Sequence, residues 1–103
     1  MKFSINQWDE ICAEFHRMFH SLGNVESTED MIRFSSTEPF VSTGIGLSRD
    51  GTMAASMPLH NLNSKFDEVV FDTSLEEITL LGNGFHYIYR VPDELLTRRP
   101  NSF

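Results

Sequence analysis

The chain has 103 residues, 40% hydrophobic and 22% charged, enough for one globular domain that buries roughly 65% of its unfolded surface and too few for two. Its formal net charge of −7 repels nucleic acid and anionic lipid, so a protein of basic or neutral character is the favoured class of partner. The lone cysteine, Cys12, excludes an intrachain disulfide; the opening MKFSINQWDE is not the apolar run of a signal peptide and no stretch approaches a membrane span, so a cytoplasmic, soluble protein is expected.

Residues 4–22 place Ile5, Trp8, Cys12, Phe15, Phe19 and Leu22 at spacings of three and four, which lines them along one helical stripe. Ser4 is the expected N-cap, Asp9 and Glu10 suit the positive end, and Gly23 supplies the stop. NVESTED then reads as a polar connector. The alternation in MIRFSS predicts a strand near 31–36, ended by Pro39, which cannot donate to a ladder.

Strands near 41–48 and 52–59 meet at SRDGT. A three-residue loop of Arg49, Asp50 and left-handed Gly51 opposes Leu47 to Met53, Ile45 to Ala55 and Thr43 to Met57. A two-residue Asp50–Gly51 turn would instead oppose Leu47 to Ala54 and Ile45 to Ser56. The first register pairs apolar with apolar and is the one expected. TGIGLSRDG is no phosphate cradle, because no helix follows it; Gly44 and Gly46 mark a bulge or close approach.

Further strands are expected near 66–72, 76–82 and 85–91. With Asn83 and Gly84 as a two-residue turn, Leu80 opposes Tyr87 and Ile78 opposes Tyr89, which with Phe85 makes an apolar face. The reverse face opposes Leu81 to His86, Thr79 to Ile88 and Glu77 to Arg90. In the tail, 92–103, Pro92 stands at or near the first position of a helical turn that packs Leu95 and Leu96 inward.

These elements predict a single α+β domain over 1–103: one N-terminal amphipathic helix packed on a curled, mostly antiparallel sheet of about six strands. The core is Trp8, Phe15 and Phe19 against Ile45, Leu47, Ile78, Leu80, Tyr87 and Tyr89. A helix roughly 27 Å long and about 10 Å across cannot cover one face of a sheet about 25 Å wide. The sheet must curl, or part of it must meet the tail, a second copy or another protein.

Three constellations carry candidate chemistry. Cys12, His16 and His20 recur every four residues on the helix, a spacing that suits zinc; structural zinc sites draw ligands from two separated elements, so a packed Cys with two shoulder His is the simpler reading and no metal or cofactor is expected. A thiol nucleophile at Cys12 with His16 lacks an orienting group and oxyanion donors. Glu77, His86 and Arg90, joined by Thr79, offer a base, an acid and a phosphate stabiliser for ribonuclease-like hydrolysis, but the acidic chain opposes an RNA substrate.

The same hairpin face also carries Leu81 and Ile88, and on a single sheet it would continue into Ser42, Gly44, Gly46, Ala54 and Ser56. Mixed apolar anchors and charges suit a protein interface. The expectation is an acidic binding module, of inhibitor or immunity type, that contacts a partner or a second copy through Glu77, Leu81, His86, Ile88 and Arg90.

Overall fold

The computed structural model describes residues 1–55 and 65–99. In chain order the elements are β1 (Lys2–Ser4), α1 (Trp8–Phe19), β2 (Asn24–Ser27), β3 (Met31–Ser35), β4 (Gly44–Ser48), β5 (Met53–Ala55), β6 (Glu68–Phe71), β7 (Glu77–Gly82), β8 (Phe85–Arg90) and α2 (Asp93–Leu96). The class is α+β, as expected, but the strands form two antiparallel sheets of four, ordered β1-β6-β7-β8 and β2-β3-β4-β5. The single curled sheet of about six strands is corrected by that division.

Helix α1 is shorter than its apolar stripe. Its N-cap is Gln7, not Ser4, because Ser4 ends β1 opposite Glu68 and Ile5 donates its N–H to Asp67 O at 2.8 Å. Sheet pairing outcompetes one more helical turn. A tight turn then joins strand to helix, with Gln7 N donating to Ser4 O at 2.8 Å and Ser4 N to Gln7 Oε1 at 3.0 Å. At the other end α1 stops at Phe19, and the bond from Leu22 N to Phe19 O swings Leu22 into the core. Gly23 serves a different purpose from the expected helix stop: a Cβ there would stand 2.5 Å from Ser35 O, so β3 can lie this close only to glycine.

NVESTED is not merely a connector. Asn24–Ser27 pairs with β3, and Thr28 N donates to Met31 O at 2.8 Å to close the hairpin. As an edge strand with Val25 half-buried and its other side chains exposed, β2 carries no alternation strong enough to announce itself.

Both expected hairpin registers are present. Leu47 faces Met53 and Ile45 faces Ala55, and Gly51 adopts φ +94°. Asp50 stiffens that loop by accepting from Thr52 N at 3.0 Å and from Thr52 Oγ1 at 2.7 Å, and these bonds hold its carboxyl below the usual range. The pairing of Thr43 with Met57, and Ser56 with it, lies outside the described residues. In the second hairpin Ile78 faces Tyr89 and Leu80 faces Tyr87.

The inner faces of both sheets close on α1 in one core. Trp8, Phe15, Phe19, Ile45, Leu47, Ile78, Leu80 and Tyr89 are all buried there, and Tyr87 packs half-buried against it. Phe19 joins the two sheets: its ring stacks on Phe34 at 4.3 Å and meets Tyr89 edge-on at 6.0 Å. Tyr89 also shares a 2.8 Å hydrogen bond with Thr43 Oγ1. With two sheets sharing one helix, Trp8, Ile11, Phe15, Met18 and Phe19 are all buried, which a single sheet face of this width would leave partly uncovered.

The tail fastens this core from outside. Pro92 precedes α2 as its N-cap residue, Leu95 is buried and Leu96 is half-buried against the core. Arg98 donates to Leu22 O at 2.9 Å and lies over the Phe40 ring at 4.4 Å, while Arg99 donates to Met18 O at 2.9 Å and Ser74 O at 3.2 Å. The Arg99 guanidinium thus meets the last turn of α1, where the helix dipole is negative, and Arg98 holds the turn that follows it. Burial pulls the Arg99 guanidinium below its ordinary value, opposed by Glu76 and Asp72.

The candidate functional site: the open face of the β1-β6-β7-β8 sheet

Alternation assigns every second residue of these strands to the core and its neighbours to the outside. Phe3, Val69, Leu80 and Tyr87 form one inward row, and Phe71, Ile78 and Tyr89 another. The outward rows follow directly from the same registers. Lys2, Val70, Thr79 and Ile88 form the central row; Ser4, Glu68, Leu81 and His86 form the second; Glu77 and Arg90 lead the third.

This face has an apolar middle and a charged frame. Val70, Thr79 and Leu81 are half-buried by one another, whereas Ile88, on the edge strand, is 50% exposed. Lys2 pairs with Glu68 at 3.2 Å, and Arg90 pairs with Glu77 at 2.9 Å and with Glu76 at 3.6 Å. The hydrogen bond to Glu77 holds the Arg90 guanidinium above its ordinary value, aided by the charges of Glu77 and Glu76. Such exposed pairs add little to stability. Their effect is to fix where each charge points. Behind Glu77, Asp72 Oδ1 accepts from Glu76 N at 2.7 Å and from Glu77 N at 3.0 Å, so the turn that presents the two glutamates is itself tied down.

Glu77, Leu81, His86, Ile88 and Arg90 therefore share one surface, as the hairpin register required. Lys2, Glu68 and Val70 join them, and sequence reading missed all three. The signal was short: in MKFSIN only Phe3 faces inward between Lys2 and Ser4, and three residues do not make a period. In the other direction, Ser42, Gly44, Gly46 and Ala54 do not extend this face, because β4 and β5 belong to the other sheet. They line a groove of about 240 Å³ with Arg33 and Ser35, and Arg33 is paired with Glu26 at 3.2 Å. A wider groove of about 510 Å³ lies beside Asp30, Met31, Ser48, Arg49 and Asp50.

The remaining constellations are placed as follows. His16 and His20 are exposed and Cys12 is half-buried; the Nδ1–H of His20 donates to Arg17 O at 3.1 Å. Among the described residues no group of three His, Cys, Asp or Glu converges as a metal would need. Burial, with the charge of Asp9, pushes the Cys12 thiol up, against a lesser pull from Arg49, which is the reverse of what an activated thiolate requires. Glu77 and His86 lie four residues apart along the paired strands, about 13 Å at strand spacing. One phosphodiester cannot reach both. No described helix is long and apolar enough to cross a membrane.

Compared with family models, with curated proteins and with solved structures, the chain gave no match in any of the three.

Proposed function

We propose that this chain is a protein-binding module of inhibitor or immunity type, which lays the open face of the β1-β6-β7-β8 sheet against a basic or neutral surface of another protein. The observation that carries the reading is Ile88, 50% exposed and standing in a row with Val70 and Thr79. A large β-branched side chain in that position leaves water on binding, and surrounding ion pairs that are already formed lose little further entropy when covered. The net charge of −7 steers a basic partner toward the domain and discriminates against acidic ones. Hydrolysis by Glu77, His86 and Arg90 is the weaker reading, since the first two face different ends of the hairpin.

The test is retention of a partner from native cell extract, followed by titration of that purified partner with wild type, Leu81→Glu and Ile88→Glu. Each substitution puts a carboxylate on the face, and at the centre of the contact each weakens binding by about 2 kcal/mol or more. Ile88→Glu leaves monomer stability within about 0.5 kcal/mol of wild type, while Leu81→Glu, whose carboxylate stands opposite Glu68, costs up to about 1 kcal/mol. Unchanged affinity in both variants would move the interface elsewhere; unfolding by Ile88→Glu would show that Ile88 is packed from within. Turnover of a phosphodiester substrate that disappears in His86→Ala would replace the binding reading with the hydrolytic one.

A further inference from the structure

Strand β8 ends its sheet, and no described residue pairs with its outer backbone. Val91 N donates to Glu76 O at 2.9 Å, while Leu81 O accepts from Asp67 N and Glu77 O from Asp72 N on the β6 side. Because the bonded pairs of an antiparallel ladder alternate, β8 bonds to β7 through Phe85, Tyr87 and Tyr89. The N–H and C=O groups of His86, Ile88 and Arg90 point the other way, and no described residue bonds to them. Six residues run here without a bulge, from Phe85 opposite Gly82 to Arg90 opposite Glu77. The opposite edge, β1, has three. A long, regular edge that no described residue covers is a template for another strand.

We infer that the occupant of this edge is a second copy of the chain, with β8 pairing antiparallel to β8 about a two-fold axis at Ile88, so that two four-stranded sheets become one of eight. Only His86, Ile88 and Arg90 can bond outward, which restricts the register. With Ile88 opposite Ile88 of the second copy and His86 opposite its Arg90, all six outward groups of each strand are used. A shift of two residues toward the turn opposes Arg90 to Gly84, whose φ of +72° is not a strand conformation. The opposite shift sets His86 against Pro92, which has no N–H.

The favoured register also sets Ile88 against Ile88 and avoids setting Arg90 against Arg90. Directly opposed residues share a face, so the central row becomes Val70, Thr79, Ile88 and then the same three in reverse order. Arg90 meets His86 rather than another Arg90, and each keeps Glu77 of its own chain. What opposes pairing is the long-range repulsion of two chains each carrying −7, and salt screens that. The contact shares His86, Ile88 and Arg90 with the partner face proposed above but leaves Leu81 and Val70 open, so Leu81→Glu, which touches the partner face alone, separates the two readings.

Sedimentation equilibrium of the full chain over a wide concentration range provides the test. Wild type is expected to show a monomer–dimer equilibrium that tightens as sodium chloride is raised. Ile88→Pro removes an N–H that β7 does not use, and is expected to weaken the dimer at least tenfold, as is Ile88→Glu; Leu81→Glu keeps it. Should Ile88→Pro fail to fold, Ile88→Glu decides. The register is read by combining His86→Cys and Arg90→Cys in a Cys12→Ser background. These positions are about 13 Å apart within one chain but about 5.5 Å apart across the axis, so oxidation should produce a covalent dimer. A wild type monomeric at every concentration and salt, a dimer that survives both Ile88 substitutions, or the absence of the crosslink in a sedimenting dimer would each overturn the inference.

Discussion

The two sheets are built alike on the inside and differently on the outside. Each has four antiparallel strands and each gives the shared core large apolar residues, Ile32, Phe34, Ile45 and Leu47 from one and Val69, Phe71, Ile78 and Leu80 from the other. On the outer surface of the β2-β3-β4-β5 sheet, Arg33, paired with Glu26, covers Gly46 and Ala54 completes the row, with Met31 exposed at one end. Outside the β1-β6-β7-β8 sheet stand Ile88, Leu81, His86 and three placed carboxylate–cation contacts. Inner faces answer to packing alone, so they converge; the outer faces differ in that one centres on glycine and alanine and the other on Val70, Thr79, Leu81 and Ile88 side by side, and an apolar cluster of that kind, unlike a single exposed residue, needs a reason beyond folding.

That contrast can be broken first at the residue both sheets share. Phe19 touches Phe34 on one side and Tyr89 on the other, so Phe19→Ala should cost about 3 to 5 kcal/mol in denaturant unfolding, with both sheets lost in one transition. Separate transitions would mean that the sheets are not one cooperative unit. A second comparison sets glycine against glycine. At Gly82 a Cβ runs into the Lys65 carbonyl, and Gly82→Ala should destabilise by about 1 to 3 kcal/mol.

Tyr89→Phe tests the link between the sheets, and the lost hydrogen bond to Thr43 should cost about 0.5 to 1.5 kcal/mol. Burial raises the Tyr89 phenol above its ordinary value, opposed by the bond to Thr43 and aided by Tyr87. The folded state therefore favours the neutral phenol: its contribution is complete below about pH 10 and is lost as pH rises through the folded value. Alkaline melting curves should show Tyr89→Phe losing less stability than wild type above that point. The smallest effect is expected at Gly46, where a Cβ finds Arg33 Cγ at 3.6 Å, an ordinary contact. Gly46→Ala should stabilise by about 0.4 to 1 kcal/mol through the unfolded chain, and a loss would show that this outer face is less open than its groove suggests.

What the sequence determined by itself was whatever depends on neighbours along the chain. The amphipathic stripe located α1 through Trp8, Phe15 and Phe19, and the turn chemistry of Gly51 and of Asn83–Gly84 set both hairpin registers. The shared surface of Glu77, Leu81, His86, Ile88 and Arg90 followed from the second register, because a period of two leaves no choice of face once one pair is known. Tertiary structure decided the rest. The pairing of Lys2 with Val70 joins distant segments of the chain, and that long-range choice shortened the helix and brought Lys2, Glu68 and Val70 to the outer face that carries Ile88, while the strands divided into two sheets. That division separated Gly44, Gly46 and Ala54 from that face. Strands as short as Lys2–Ser4 or as polar as Asn24–Ser27 have no periodicity of their own to read; each exists because a partner strand supplies its hydrogen bonds, and that partner is known only when the chain has closed.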